Sequence, residues 1–173
     1  MTDRLEWHDV RHLEAAEGWL GLGDLGEAKL ELGAIPEQKH SNPKVLQVRY
    51  LICAKERRWE VCVELAESMV QLEPAAPFGW IHRSYALHEL KRTREALDQL
   101  LPAAMRFPED ATLRYNLACY ECVLGNLELA KQRLFEAFKI AATDQCLEEY
   151  RSTASEDSDL KPLWGFLGSL PKI

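Results

Sequence analysis

The fold is decided by residues 77–110, Pro77-Phe78-Gly79-Trp80-Ile81-His82-Arg83-Ser84-Tyr85-Ala86-Leu87-His88-Glu89-Leu90-Lys91-Arg92-Thr93-Arg94-Glu95-Ala96-Leu97-Asp98-Gln99-Leu100-Leu101-Pro102-Ala103-Ala104-Met105-Arg106-Phe107-Pro108-Glu109-Asp110. Apolar residues recur here at helical spacing in two runs, separated by the polar turn Lys91-Arg92-Thr93. Prolines close the segment on either side, because proline cannot continue a helix interior. The stretch predicts a helix, a tight turn and a second helix.

The same punctuation returns 34 residues away in both directions. Pro74 and Pro108 are one period apart, Ala28, Cys62, Ala96 and Ala130 fall at one slot, and Leu25, Trp59, Thr93 and Leu127 at another. Gly23 and Gly125 share a turn slot with Arg57 and Lys91 between them. A fixed period of this size marks a repeat array in which each unit is one supersecondary motif. Four repeats follow, 9–42, 43–76, 77–110 and 111–144, so that 1–144 is the array with the start of its first helix and 145–173 is a tail. In each repeat the first helix covers about positions 2–14 and the second about positions 18–31. Glycine suits a left-handed C-cap, Asp24 and Asn126 suit helix N-caps, and the small slot lets helices approach closely. Pro102 is expected to kink or end the second helix of the third repeat.

These residues resemble the tetratricopeptide repeat family. The third repeat supplies Trp80, Ser84, Leu87, Ala96, Ala103 and Pro108, the fourth Leu117, Ala118, Gly125, Ala130 and Ala137, and the first Ala16, Trp19, Gly23 and Ala28. The second diverges, with Tyr50 at a small position and Cys62 at an alanine position. Tyr115–Tyr120 and Asp159–Trp164 are similar to a widespread group of small bacterial proteins of this family. The resemblance implies an all-α, right-handed superhelical solenoid of four repeats with C-terminal capping helices. It also exposes a departure: Arg49 and Arg83 stand where the family prefers Leu, and a guanidinium at a core-type position needs a carboxylate or carbonyl partner.

Stacked helices leave bare apolar faces at both ends, so the tail is expected to fold back as a cap. Asp144–Arg151 and Asp159–Leu167 are expected to form its short helices, joined by a polar loop at Ser152–Ser158, with Pro162 in a first turn where it is tolerated.

The chain carries 21 Lys+Arg against 28 Asp+Glu, a formal charge of −7, and the excess sits at the ends. Residues 1–42 hold four cations and nine acids, and 145–173 three and five, while the three repeats between are balanced. The acid excess argues against non-specific binding to nucleic acid or anionic lipid. No apolar run approaches the roughly 20 residues of a spanning helix. The acidic start Met1–His8 lacks an apolar signal region. The five cysteines Cys53, Cys62, Cys119, Cys122 and Cys146 are an odd number, which fits reduced thiols and a cytoplasmic protein.

Family resemblance implies that the first helices line a groove. Mapped here, the lining takes Leu13, Glu14 and Glu17, then Lys44, Gln47, Val48 and Leu51. It continues with Phe78, Ile81, His82, Tyr85 and His88, then Thr112, Tyr115, Asn116, Cys119 and Cys122. Of these, Gln47, Leu51, Phe78, Ile81, His82, Tyr85, His88, Tyr115 and Asn116 are the candidate partner-binding residues, with an aromatic centre suited to a protein ligand. The carboxylate clamp of some family members is missing: Glu14, Glu17, Val48 and His82 stand in its region, and only Asn116 has its character. A second candidate is the basic edge of Lys55, Arg57, Arg58, Lys91, Arg92 and Arg94 in consecutive turns, which suits an acidic segment.

Nothing points to a cofactor, a metal or catalysis. Cys119-x-x-Cys122 is half of a zinc motif. His8 and His12 share a helix face but have no third ligand, and His82 and His88, six apart, do not share one. His40 stands apart from both pairs. No phosphate-binding loop, nucleophile elbow or zinc-protease motif occurs. The expected function is a non-catalytic scaffold or adaptor for a protein partner. Two alternatives are an accessory protein of a tubulin-like cytoskeletal filament, similar to kinesin light chains around Asn116-Leu117-Ala118, and a chaperone for a secreted client. The sequence leaves the oligomeric state open.

Overall fold

The computed structural model describes residues 4–168. The chain divides into two compact units, Met1–Ala86 and Leu87–Ile173. Among the described residues every regular element is helical.

The first unit holds α1 (Trp7–Leu22), α2 (Leu25–Ala34), α3 (Pro43–Lys55), α4 (Trp59–Leu72) and most of α5 (Pro77–Glu89). The second holds the last turn of α5 and then α6 (Thr93–Arg106), α7 (Ala111–Val123), α8 (Leu127–Thr143), α9 (Leu147–Glu156) and α10 (Trp164–Leu167), with a 3₁₀ segment over Ser158–Leu163. The 34-residue register is visible in the starts: Pro43, Pro77 and Ala111 open first helices, and Leu25, Trp59, Thr93 and Leu127 open second helices.

Local chemistry sets these boundaries. Proline at the first position of α3 and α5 costs no hydrogen bond, since that N–H has no partner in a helix. The Asp24, Asn42 and Asp110 side chains accept from first-turn N–H groups of α2, α3 and α7. The first helices end in left-handed turns at Gly23 (φ 82°), Arg57 (φ 57°), Lys91 (φ 64°) and Gly125 (φ 84°). Two of the four repeats therefore place a side chain where glycine is preferred. α1 begins two residues before the first repeat, its N-terminus closed by Glu6 N–H donating to the Asp9 carboxylate at 2.7 Å. α6 runs through Pro102 to Arg106, so the proline does not end the helix.

The small slot is the packing pivot. Ala28, Cys62, Ala96 and Ala130 are fully buried, as are Ala16, Ser84 and Ala118 at the matching slot on the first helices. Another close approach occurs in the first unit at Gly79, where an added Cβ would lie 2.8 Å from the Val70 backbone nitrogen. Leu13, Leu32, Ile35, Val45 and Ile52 form one cluster of that unit, and Leu46, Tyr50, Leu65, Met69 and Ala86 a second. In the second unit α7 packs on α8, on α6 and on the 3₁₀ segment. Leu113, Leu117, Leu134, Phe138, Leu160 and Leu163 are buried there.

A side chain in the left-handed region costs about 1–2 kcal/mol, partly offset by the extra freedom glycine has when unfolded. Lys91→Gly is therefore expected to stabilise the protein by about 0.5 kcal/mol, and Gly125→Ala to destabilise it by about 1 kcal/mol. Urea denaturation curves of the two variants against the parent measure both signs.

Candidate functional site

In the first unit the residues expected in the groove share one face of α3 and α5. Leu51 and Tyr85 occupy the same slot of successive repeats, 34 apart, and both are exposed, at 36% and 40%. Gln47 is half-buried and Ile81 buried. Beneath them Phe78, His82 and Tyr50 form an aromatic cluster. The Phe78 and His82 ring centroids are 3.9 Å apart, and the Tyr50 ring lies 4.8 Å from His82 and 5.9 Å from Phe78. The Tyr50 hydroxyl donates to the His82 carbonyl at 2.9 Å. Tyr85 meets Trp59 edge-on at 5.7 Å. Burial pushes the His82 imidazole down to about 4, so it is a neutral aromatic packing element rather than a cation.

In the second unit the corresponding face is covered by the chain's own tail. Tyr115, His88 and Cys119 are buried, and Asn116 is half-buried. The Tyr115 hydroxyl donates to the Asp157 carboxylate at 2.8 Å, and the Cys119 thiol lies 3.5 Å from the same oxygen. Two residues on, Asp159 lies 2.8 Å from Nε2 of His88, whose other ring nitrogen meets the Thr93 hydroxyl at 2.9 Å. The His88 hydrogen bond holds the Asp159 carboxyl below its ordinary value against the effect of burial. Tyr150 of α9 meets the Tyr115 ring at 5.8 Å, and its hydroxyl is 2.7 Å from that of Thr112. A cavity of about 470 Å³ remains between α7 and α9, lined by Thr112, Tyr115, Asn116, Cys146, Glu149, Tyr150 and Thr153. The tail thus does more than end the stack, since two of its aspartates engage side chains expected to meet a partner. Their period-two spacing in Asp157-Ser158-Asp159 is the one sequence signal that marks them.

The basic-edge residues divide three to each unit. Lys55 ends α3, Arg57 is the left-handed turn residue, and Arg58 precedes α4 with a guanidinium nitrogen 3.8 Å from Glu56. In the second unit Lys91 holds the left-handed turn, and Arg92 makes two hydrogen bonds to Glu95 at 2.9 and 2.7 Å. Arg94 is exposed on α6.

The two core-type arginines diverge. Arg83 is buried and ion-paired with Glu67, with its guanidinium 5.2 Å from the Trp80 ring centroid. Arg49 is exposed beside an open cavity.

Burial raises the thiols of Cys53, Cys62, Cys119 and Cys122, Cys62 to about 12, which keeps them protonated and poorly nucleophilic. Among the described residues no group of three or more His, Cys, Asp and Glu is placed to hold a metal, and no helix is long and apolar enough to cross a membrane.

The fold is similar to solved structures of MamA, a tetratricopeptide repeat protein. The MamA RS-1 ArsTM double mutant superposes with a TM-score of 0.68 at 11% identity, covering 80% of this chain and 79% of its own. MamA MSR-1 C2 superposes with a TM-score of 0.64 at 19% identity, covering 77% and 76%. No family model matches the sequence, and no curated protein matches it. The chain is all-α and has the fold of tetratricopeptide repeat solenoid proteins.

The His82 ring gives the first unit a defined acid response. Unfolded, it protonates near 6.5; folded, near 4. Between those values the unfolded chain binds the extra proton, so the contribution of His82 to stability is complete above about pH 6.5, falls as pH drops towards 4, and changes no further below that. His82→Asn is expected to flatten the dependence of unfolding free energy on pH across that window, read from urea titrations at half-unit steps.

Proposed function

We propose that the protein is a non-catalytic scaffold that binds a protein partner through the α3–α5 face of its first unit. The observation that carries this reading is a difference between equivalent slots. The residue at the slot of Leu51 and Tyr85 in the fourth repeat is Cys119, and it is buried beneath Asp157 of the tail. In the first unit two large side chains at that slot remain partly exposed, Leu51 and Tyr85, the latter with its ring edge-on to Trp59. Their aromatic underlayer is already packed and tied by the Tyr50 hydrogen bond, so a ligand that covers them has few further side chains to order. The likeness to MamA supports the same reading at the level of fold.

The basic edge is the weaker surface for such a role. Arg92 is committed to Glu95 and Arg58 lies near Glu56, which leaves much of its charge locally balanced.

Leu51→Ser combined with Tyr85→Ser tests the assignment. Both sites are exposed, so helicity by circular dichroism and the unfolding midpoint are expected to stay close to the parent's. Proteins captured from native extract by the parent are expected to be lost from the variant. An unchanged set of captured proteins moves the binding surface elsewhere.

A further inference from the structure

The first unit contains a second recessed surface, apart from Leu51 and Tyr85 and sharing Arg58 with the basic edge. A cavity of about 280 Å³ is lined by Lys29, Leu32 and Gly33 of α2, by His40, by Arg49, Ile52, Cys53 and Glu56 around α3, and by Arg58 and Val61 at the start of α4. Its floor is aliphatic and its rim is cationic.

Arg49 is the residue that needs explaining. The same slot one repeat on is Arg83, buried against Glu67; two repeats on it is Leu117, fully buried. Arg49 has neither solution, since it makes no ion pair or hydrogen bond to any described residue. Arg49 instead stands exposed at the mouth of the cavity, with its fork of donors open to solvent and to a ligand.

The surrounding charges agree. Lys29 is ion-paired with Glu56, and Arg58 stands 3.8 Å from that carboxylate. Burial pushes the Cys53 thiol up, with Arg58, Arg49 and Lys29 pulling it down and Glu56 adding to the rise. Glu56 offsets part of the charge of Lys29 and Arg58, which leaves the Arg49 guanidinium as the cation outside that pairing. His40 is fixed by its Nε2 donating to the Ile35 carbonyl at 2.8 Å.

We propose that this cavity binds an acidic segment of a protein partner, with one Asp or Glu carboxylate on the Arg49 guanidinium and a neighbouring aliphatic side chain over Leu32, Ile52 and Val61. A guanidinium matches a carboxylate as a two-pronged donor. The cavity lies near the lower end of ligand-site volumes, a size for one or two side chains. Glu56 on the rim disfavours a doubly charged, strongly hydrated anion, and the aliphatic floor gives such an anion nothing. This site is independent of the α3–α5 face, so either can fail alone.

The test is a ¹H–¹⁵N titration of the full chain with the capped peptide N-acetyl-Leu-Asp-Leu-amide. N-acetyl-Leu-Asn-Leu-amide and inorganic phosphate serve as comparisons. Expected are saturable shifts confined to His40, Arg49, Ile52, Cys53, Glu56 and Val61, with the Asn peptide and phosphate at least about tenfold weaker. Arg49→Leu removes the guanidinium and keeps an aliphatic side chain at the cavity mouth. It is expected to keep the fold and weaken the Asp peptide about tenfold or more. Glu56→Gln releases Lys29 and Arg58 and is expected to tighten it. The proposal is overturned by absence of shifts, by equal binding of the Asn peptide, by tighter binding of phosphate, or by an Arg49→Leu variant that binds as the parent does.

Discussion

Each helix pair depends on a place where side-chain volume is nearly zero. Ala28, Cys62, Ala96 and Ala130 have no solvent exposure, and Ala16, Ser84 and Ala118 share that property on the first helices. Larger groups at such points force off-rotamer packing at a cost of about 1–3 kcal/mol. The constraint repeats every 34 residues, and that is why the helix starts keep register from Leu25 to Leu127 although few other positions are alike. Tyr50 shows how an exception is absorbed. It stands at the slot of Ala16, Ser84 and Ala118, yet it is buried, with its ring against Phe78 and His82 and its hydroxyl on the His82 carbonyl. The extra volume becomes the base of the α3–α5 face.

Periodicity made the helices legible because it reports local geometry and burial together. The starts at Pro43, Pro77 and Ala111 fall one residue before the second position that the periodicity suggests. Pro102 was less legible: removing one hydrogen bond does not end a helix whose flanks Leu100, Ala103 and Ala104 are buried. Face assignments were legible only in part. Helical spacing says which side a residue is on, but not what covers that side. Ile81, His88 and Tyr115 fall on the expected face and are buried, and for Tyr115 and His88 the covering groups come from residues 157 and 159. That pairing spans 42 and 71 positions, beyond any local pattern.

The arginines at core-type positions show the same boundary. Sequence alone requires a partner for each, and the structure supplies Glu67 for Arg83 by placing α4 beside α5. Arg49 is left exposed at a cavity lined by aliphatic side chains, by Lys29 and Arg58, and by the Glu56 carboxylate that these two share. Two identical departures from the repeat thus have opposite meanings, one closed within the fold and one open to solvent.

The distribution of charge gains physical content from these pairings. The acid excess of residues 1–42 is not simply a negative surface. Asp9 is buried on Lys39, and Glu31 lies 2.7 Å from His12. The Lys39 hydrogen bond holds the Asp9 carboxyl below its ordinary value, so it remains an ionised internal partner. Other acids, among them Glu14, Glu17 and Glu27, stay exposed. A polyanion would meet those acids over its whole length, whereas a single carboxylate in the Arg49 cavity senses only charges within about 8–10 Å at physiological salt. Under the proposal made for that cavity, the exposed acids elsewhere on residues 1–42 oppose a bound carboxylate only where they lie within that screening distance.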